Sequence, residues 1–229
     1  MDISEQIKGI VLFQGVSPEK IKILLSQSIV RKFKPGEMVI GEEDPIRSFY
    51  VVISGQLKLY RSSAEGKEQT LQLLGQGDPF GLCTAFATES FPASAMAIED
   101  SAVLLIPGTV MESAARQEPA LLFNIIQILS QRLKNSMELI ESLALKEIPE
   151  RLASFLRHET AKNKSDKKAV IKLTISQREL AKILGATPEA LSRALRKMAN
   201  KGILSTSGRE INILDHESLE QLADGDYPL

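Results

Sequence analysis

Residues 172–215 read KLTISQRELAKILGATPEALSRALRKMANKGILSTSGREINILD. Two helix signals stand back to back in this stretch. Ser176 followed by Glu179 makes a capping box, and Leu180, Ile183 and Leu184 follow at the spacing of one buried helical face. Gly185 supplies the stop. A short link leads to Thr187 as N-cap, Pro188 at the first helical position and Glu189 in the first turn. Leu191, Ala194, Leu195 and Met198 form the inward face of this second helix, and Gly202 closes it. Ile203-Leu204-Ser205 and the run from Glu210 to Ile213 then flank Ser207-Gly208, which predicts a hairpin. The stretch therefore predicts a helix-turn-helix followed by a β wing.

The outward face of the second helix carries Glu189, Ser192, Arg193, Arg196, Lys197 and Asn200. In a DNA major groove, Arg193 can donate two parallel hydrogen bonds to guanine O6 and N7, Glu189 can accept from cytosine N4, and Ser192 can meet either kind of base edge. Glu189 lies one turn before Arg193, so it can also hold the guanidinium in place; the competing reading is a plain surface i,i+4 pair. Ser176, Gln177, Arg178 and Thr187 stand at helix starts, where amides and hydroxyls suit phosphate. Lys197, Lys201 and Arg209 add attraction of no sequence preference.

Charge follows the same division. The whole chain carries a net charge of −1, but residues 147–209 hold 14 Lys or Arg against 6 acids, a local +8. Residues 1–146 hold 14 bases and 17 acids, and residues 210–229 hold 6 acids and no base. A basic block inside a near-neutral chain fits a phosphate-binding module.

Upstream of this block the periodicity changes. Ser17-Pro18-Glu19 starts a helix through Leu25 after a short helix and turn. Ser28 to Phe33, Glu37 to Ile40, Phe49 to Ile53, Gln56 to Arg61, Gln69 to Leu74, Ser94 to Ile98 and Ala102 to Ile106 are strand candidates separated by turn signals, which suggests an antiparallel barrel or sandwich. A short helix, Val110 to Arg116, precedes a long one from Pro119 to Leu145. In the latter Leu122, Ile126, Leu129, Leu133, Ser136, Ile140 and Leu143 repeat at alternating four and three residues, the seam of a coiled coil with one polar insertion. Packing of that helix on its own domain is the alternative. Glu147 to His158 reads as a further helix and Ala161 to Ala169 as a charged loop. The class expected is α+β: a β-roll domain over 1–117, a dimerisation helix over 118–146 and a winged helix-turn-helix over 147–229, with the domain boundary near Leu145 to Ile148.

Several functions are disfavoured. No apolar run is long enough for a bilayer and no leader-like segment opens the chain, so a cytoplasmic, membrane-free protein is expected. The single cysteine, Cys83, excludes an internal disulfide, a zinc knuckle and a cluster held by four cysteines. No histidine falls in the strands and no nucleophile–base pair stands out, so an enzyme is not expected. A winged helix that binds protein instead of DNA is the other rival.

The segments PGEMVIGEEDP (35–45), FYVVISGQLKLYR (49–61), GDPFG (77–81), the long helix and ELAKILGATPEALSRALRKMANKGIL (179–204) resemble the superfamily of the cyclic-AMP receptor protein and the fumarate–nitrate reduction regulator, over essentially the whole chain. The resemblance implies a β-roll sensor, a dimer along the long helix, double-stranded DNA bound as a partial palindrome, and RNA polymerase as a partner. Glu189, Ser192 and Arg193 look like the fumarate–nitrate branch, which implies a half-site containing TTGA. Cyclic-nucleotide members hold their ligand with a glycine–glutamate and an arginine–serine pair. Here Leu82 follows Gly81, and Phe91-Pro92-Ala93-Ser94 has no base, so cyclic AMP is not the expected effector. The remaining cassette, Phe80, Gly81, Leu82, Cys83, Phe86, Phe91 and Met96, with Met137 of the long helix, is apolar and is proposed as the effector pocket. With GREINILD (208–215), it resembles most the nitric-oxide and nitrosative-stress regulators, which implies haem. His158 and His216 lie beyond the sensory domain, which leaves Cys83, Met96, Met111, Met137, Tyr50 or Tyr60 as axial ligand. A small organic ligand, or redox chemistry at the Cys83 thiol, is the alternative.

Overall fold

The computed structural model describes residues 6–7, 9–42, 44–45, 47–86, 90–162 and 170–227, without the side chains of Cys83, Thr84, Lys162, Val170 and Lys172. After a 3-10 turn at Val11–Phe13, helix α1 (Pro18–Ser26) begins with proline at its first position. Strands β1 (Ile29–Phe33), β2 (Met38–Ile40), β3 (Ser48–Ser54), β4 (Leu57–Ser62) and β5 (Glu68–Leu74) follow, within a residue or two of the sequence reading. Two elements that reading left out stand here, the two-residue strand β6 (Pro79–Phe80) within the GDPFG turn and the short helix α2 (Leu82–Phe86) just after it. Strands β7 (Ser94–Ala97) and β8 (Ser101–Pro107) complete the roll.

Two antiparallel four-stranded sheets result, in the orders β1-β8-β3-β6 and β2-β7-β4-β5. The apolar run from Phe49 to Ile53 has no polar break because both faces of β3 are covered. Tyr50 and Val52 point between the sheets, where they meet Phe33, Ile40, Leu57, Leu74, Phe80, Phe91 and Val103. Phe49, Val51 and Ile53 point the other way, with Leu104 and Ile106, onto a helical layer that includes Leu12, Phe13, Ile21, Leu24, Met111, Leu121 and Ile125. A sheet buried on one side would alternate; one buried on both reads as a continuous apolar strand. The turn between β3 and β4 demands Gly55: its φ is +83°, and a Cβ there would sit 2.4 Å from the Asp100 carbonyl oxygen.

Helix α3 (Gly108–Gln117) leads into the long helix α4 (Pro119–Leu145). The chain divides into two units between Lys134 and Asn135, inside α4, instead of at the expected boundary near Leu145 to Ile148. The physical reason is that the first half of α4 is part of the roll's core. Leu121 and Ile125 are buried there, Asn124 Nδ2 donates to the carbonyls of Leu12 (3.0 Å) and Gln14 (2.8 Å), and Arg132 donates to the Pro79 carbonyl. The expected seam lies on the other side of the helix: Leu122, Ile126, Leu129, Leu133, Ser136 and Ile140 are exposed, Leu133 by 64% and Ile140 by 67%, and Leu143 is half-buried.

The second unit contains α5 (Ile148–Lys162), β9 (Val170–Lys172), α6 (Gln177–Ile183), α7 (Pro188–Asn200), β10 (Leu204–Ser207), β11 (Glu210–Ile213) and α8 (His216–Asp224). Helix α5 runs on through Lys162, and residues 163–169 of the expected charged loop lie outside the described residues. The wing is a three-stranded sheet, β10-β11-β9, instead of a lone hairpin. Val170–Lys172 pairs with Glu210–Asn212 and so covers one edge of the wing.

Candidate nucleic-acid interface

The two hydroxyl caps read from the sequence are present. Ser176 Oγ accepts from the Glu179 amide at 3.2 Å, and Thr187 Oγ1 accepts from the Ala190 amide at 3.2 Å. Gly185 and Gly202 follow the two helices with φ of 61° and 75°. Leu180, Ala181, Leu191, Ala194, Leu195 and Met198 are buried, and this packing sets the rotation of α7 about its axis. Glu189, Arg193, Arg196, Lys197 and Asn200 are consequently exposed on one face, with Ser192 half-buried beside them.

Glu189 and Arg193 are less closely joined than their spacing suggests. The Glu189 carboxylate turns back to the cap. It lies below the usual carboxylate range first through its own amide and next through the Thr187 hydroxyl; the Arg193 charge is the weakest contributor. A carboxylate has about four acceptor sites, so this contact leaves Glu189 capacity for a cytosine N4. Thr187 is exposed at the start of α7, its hydroxyl accepting from the Ala190 amide. Ser176, Gln177 and Arg178 are exposed at the start of α6, and Lys197 and Lys201 at the end of α7. Arg209 is exposed at the wing turn, where its carbonyl accepts from the Leu173 amide at 2.9 Å.

The described effector candidates do not form one cluster. Phe80 and Phe91 meet between the sheets: Phe80 stacks on Tyr50 with centroids 4.7 Å apart, and Phe91 approaches Phe80 edge-on at 6.3 Å. Burial pushes the Tyr50 phenol above its usual range, against a lowering hydrogen bond with Ser48. Gly81 lies under this stack, where a Cβ would come within 2.7 Å of the Ser48 carbonyl oxygen. Leu82 packs into the helical layer instead, and Phe86 meets Phe49 edge-on at 6.5 Å. Ala95 and Ala97 take the inward positions of β7, so Met96 between them points away from the roll interior. Met137 lies past Lys134, 63% exposed. Met111 is buried in the helical layer, and Tyr60 is buried beneath the Lys58 ammonium, 4.9 Å from the ring centroid. The side chain of Cys83 lies outside the described residues.

Further features of the second unit escaped the sequence reading. Helix α8 had a visible signal, with Asp215 and Ser218 at cap spacing, Leu219, Leu222 and Ala223 inward, and Gly225 at the stop. Arg157 on α5 holds it, donating to Asp224 (2.7 Å) and Glu220 (3.2 Å). Arg151 and Lys146, which bind backbone carbonyls across the unit, had none.

Asp215 gives a pH test. The Ser218 hydroxyl (2.7 Å) and amide (3.1 Å) hold its carboxyl below the usual range. A folded-state pKa below the unfolded value, about 3.9, means that this stabilisation is fully present above that value and is lost as pH falls through the folded one. Asp215→Asn keeps an acceptor but does not titrate. Its melting temperature is expected to lie below wild type at pH 6, with the gap narrowing as the pH falls below about 4. A gap independent of pH would refute the linkage.

Residues 30–118 match the cyclic nucleotide-binding domain family, and residues 150–222 match the Crp-like helix-turn-helix domain family. The fumarate and nitrate reduction regulatory protein of Vibrio cholerae is 32% identical over 203 residues, covering 87% of this chain and 81% of its own. A CRP-like cAMP-activated global transcriptional regulator of Mycobacterium tuberculosis is 27% identical over 214 residues, covering 93% and 96%. Among solved structures, FixK2 from Bradyrhizobium japonicum superposes with a TM-score of 0.75 at 27% identity, over 85% of this chain and 96% of its own.

Proposed function

The chain belongs to the CRP/FNR family of DNA-binding transcription regulators, and on that footing we propose that two copies pair along α4 and read a two-fold, TTGA-type site. The family is one of regulators, not enzymes. The observation that carries the reading is α7, a capped helix whose packed side fixes the outward presentation of Glu189, Ser192 and Arg193. Arg193 supplies the bidentate contact to guanine, Ser192 an adaptable one, and Glu189 accepts from cytosine. Ser176, Gln177, Arg178, Thr187, Lys197, Lys201 and Arg209 position the backbone of the duplex. The exposed apolar row on α4 is the surface that a second copy covers. RNA polymerase is the proposed protein partner. Among the described residues no helix is long and apolar enough to cross a membrane, and the cytoplasm is the proposed location.

The proposed effector acts in the roll and is not cyclic AMP, because Leu82 and Phe91 to Ser94 offer no acid or base for ribose and phosphate. It shifts the α4 pair and thereby the two recognition helices. Haem with nitric oxide is the effector that the family resemblance implies. The described ligand candidates do not converge on one site, and Tyr50, Phe80 and Phe91 pack together between the sheets, an arrangement that does not fit haem. Anaerobic titration with haem and then nitric oxide, with binding to a TTGA palindrome measured at each step, decides the point. A stoichiometric Soret band that shifts with nitric oxide and alters DNA affinity supports haem. No band with DNA binding intact turns the search to a small organic ligand or the Cys83 thiol. Palindrome binding no tighter than binding to scrambled DNA would sink the regulator's site assignment itself.

A further inference from the structure

Helix C-termini leave carbonyl groups without intrahelical partners, and a cation placed there meets both these acceptors and the negative end of the helix dipole. Two such ends meet at one side chain in the second unit. Arg151, half-buried near the start of α5, donates from Nε to the Lys146 carbonyl at 2.8 Å and from one terminal nitrogen to the Leu143 carbonyl at 3.1 Å. Both acceptors lie at the end of α4. Its other terminal nitrogen donates to the Leu184 carbonyl at 3.0 Å, the residue that caps the end of α6. Lys146 adds a second tie, from Nζ to the Ala223 carbonyl on α8 at 2.8 Å and to Ser154 Oγ at 3.1 Å.

We infer that Arg151 is a positioning residue that locks the helix-turn-helix to the end of the dimerisation helix and so sets which half-site spacing the dimer accepts. The planar guanidinium fixes direction as well as distance, since its N–H groups leave it in one plane toward carbonyls of two different helices. Helix α6 packs on α7, so the direction set at Leu184 is carried to Glu189, Ser192 and Arg193. A lysine ammonium has three donors but no fixed plane, and so leaves the angle free. The inference rests on the DNA-reading dimer proposed above.

The test uses full-length protein and duplexes carrying two TTGA half-sites at graded spacings, with a single half-site as reference. Wild type is expected to prefer one spacing. Arg151→Gln and Arg151→Lys are expected to bind that duplex about 10- to 100-fold more weakly, because a loose joint lowers the effective concentration of the second module. Half-site binding should change by less than about two-fold, and the preference among spacings should flatten. A spin label at Ala199→Cys, an exposed position of α7, in a Cys83→Ser background reads the joint without DNA. The distance distribution between the two labels should be narrow with Arg151 in place and broad in the Arg151→Lys protein. An unchanged spacing preference with an unchanged distribution overturns the inference. So does parallel loss of half-site and palindrome binding with loss of helical circular dichroism, which would make Arg151 a fold-holding residue only. Wild type that prefers no half-site over scrambled DNA overturns the dimer reading, and this inference with it.

Discussion

Arg193→Ala is expected to lose most sequence-specific DNA affinity while the fold stays intact. A bidentate arginine–guanine pair contributes ~1–3 kcal/mol of discrimination, and a two-fold site contains two of them, so specific binding should fall by roughly 30- to 20,000-fold. Binding to scrambled DNA should fall only a few-fold, as one charge per protomer is removed from a larger basic surface. Arg193 is exposed, so the unfolding free energy should stay within about 0.5 kcal/mol. Fluorescence anisotropy against the TTGA palindrome and a scrambled duplex, beside a melting curve, measures all three. An Arg193→Ala protein with full specific affinity would return the winged helix to the rival reading, a module that binds protein.

Leu133→Glu should separate the dimer without unfolding the chain. Leu133 is 64% exposed in a single chain, so a charge there meets solvent; in a paired seam it would be buried against its own copy. Sedimentation should show the 25.2 kDa chain mass in place of twice that mass. Palindrome affinity should drop about 100-fold or more, since each half-site is then bound independently. The contrast is Leu121→Ala on the other side of the same helix. Leu121 is fully buried in the roll, so that variant should lose about 2–5 kcal/mol of stability and remain paired. A Leu133→Glu protein that still sediments as a dimer would remove α4 as the pairing surface.

Local signals had local answers. The cap residues Ser176 and Thr187, the stops at Gly185 and Gly202, and the inward row from Leu191 to Met198 act within a few residues of themselves, so their pattern alone specifies where α6 and α7 begin, end and turn. The same holds for Gly55, whose turn admits no side chain, and for the seven strands bracketed by turn residues. The exposed apolar row on α4 was legible because a helix repeats its faces regularly, whatever covers them.

Tertiary structure decided what depends on groups distant in the chain. The strand at Val170–Lys172 is three residues long and exists because β11 offers it an open edge. The cassette candidates looked contiguous from Phe80 to Met96, yet alternation in β7 and the turn at α2 send them to three different surroundings. Glu189 and Arg193 have the spacing of a pair, but the nearer amide and the Thr187 hydroxyl draw the carboxylate to the cap. Arg151 carries no pattern of its own; its partners are the carbonyls of Leu143, Lys146 and Leu184, and every residue type has a carbonyl. Sequence by itself determined most of the elements, their faces and the class of molecule, since propensity, capping and periodicity are properties of neighbouring residues. Only the folded chain determined which side chains share a space and which backbone groups a long cation reaches, because those distances are set by packing between segments that the sequence keeps far apart.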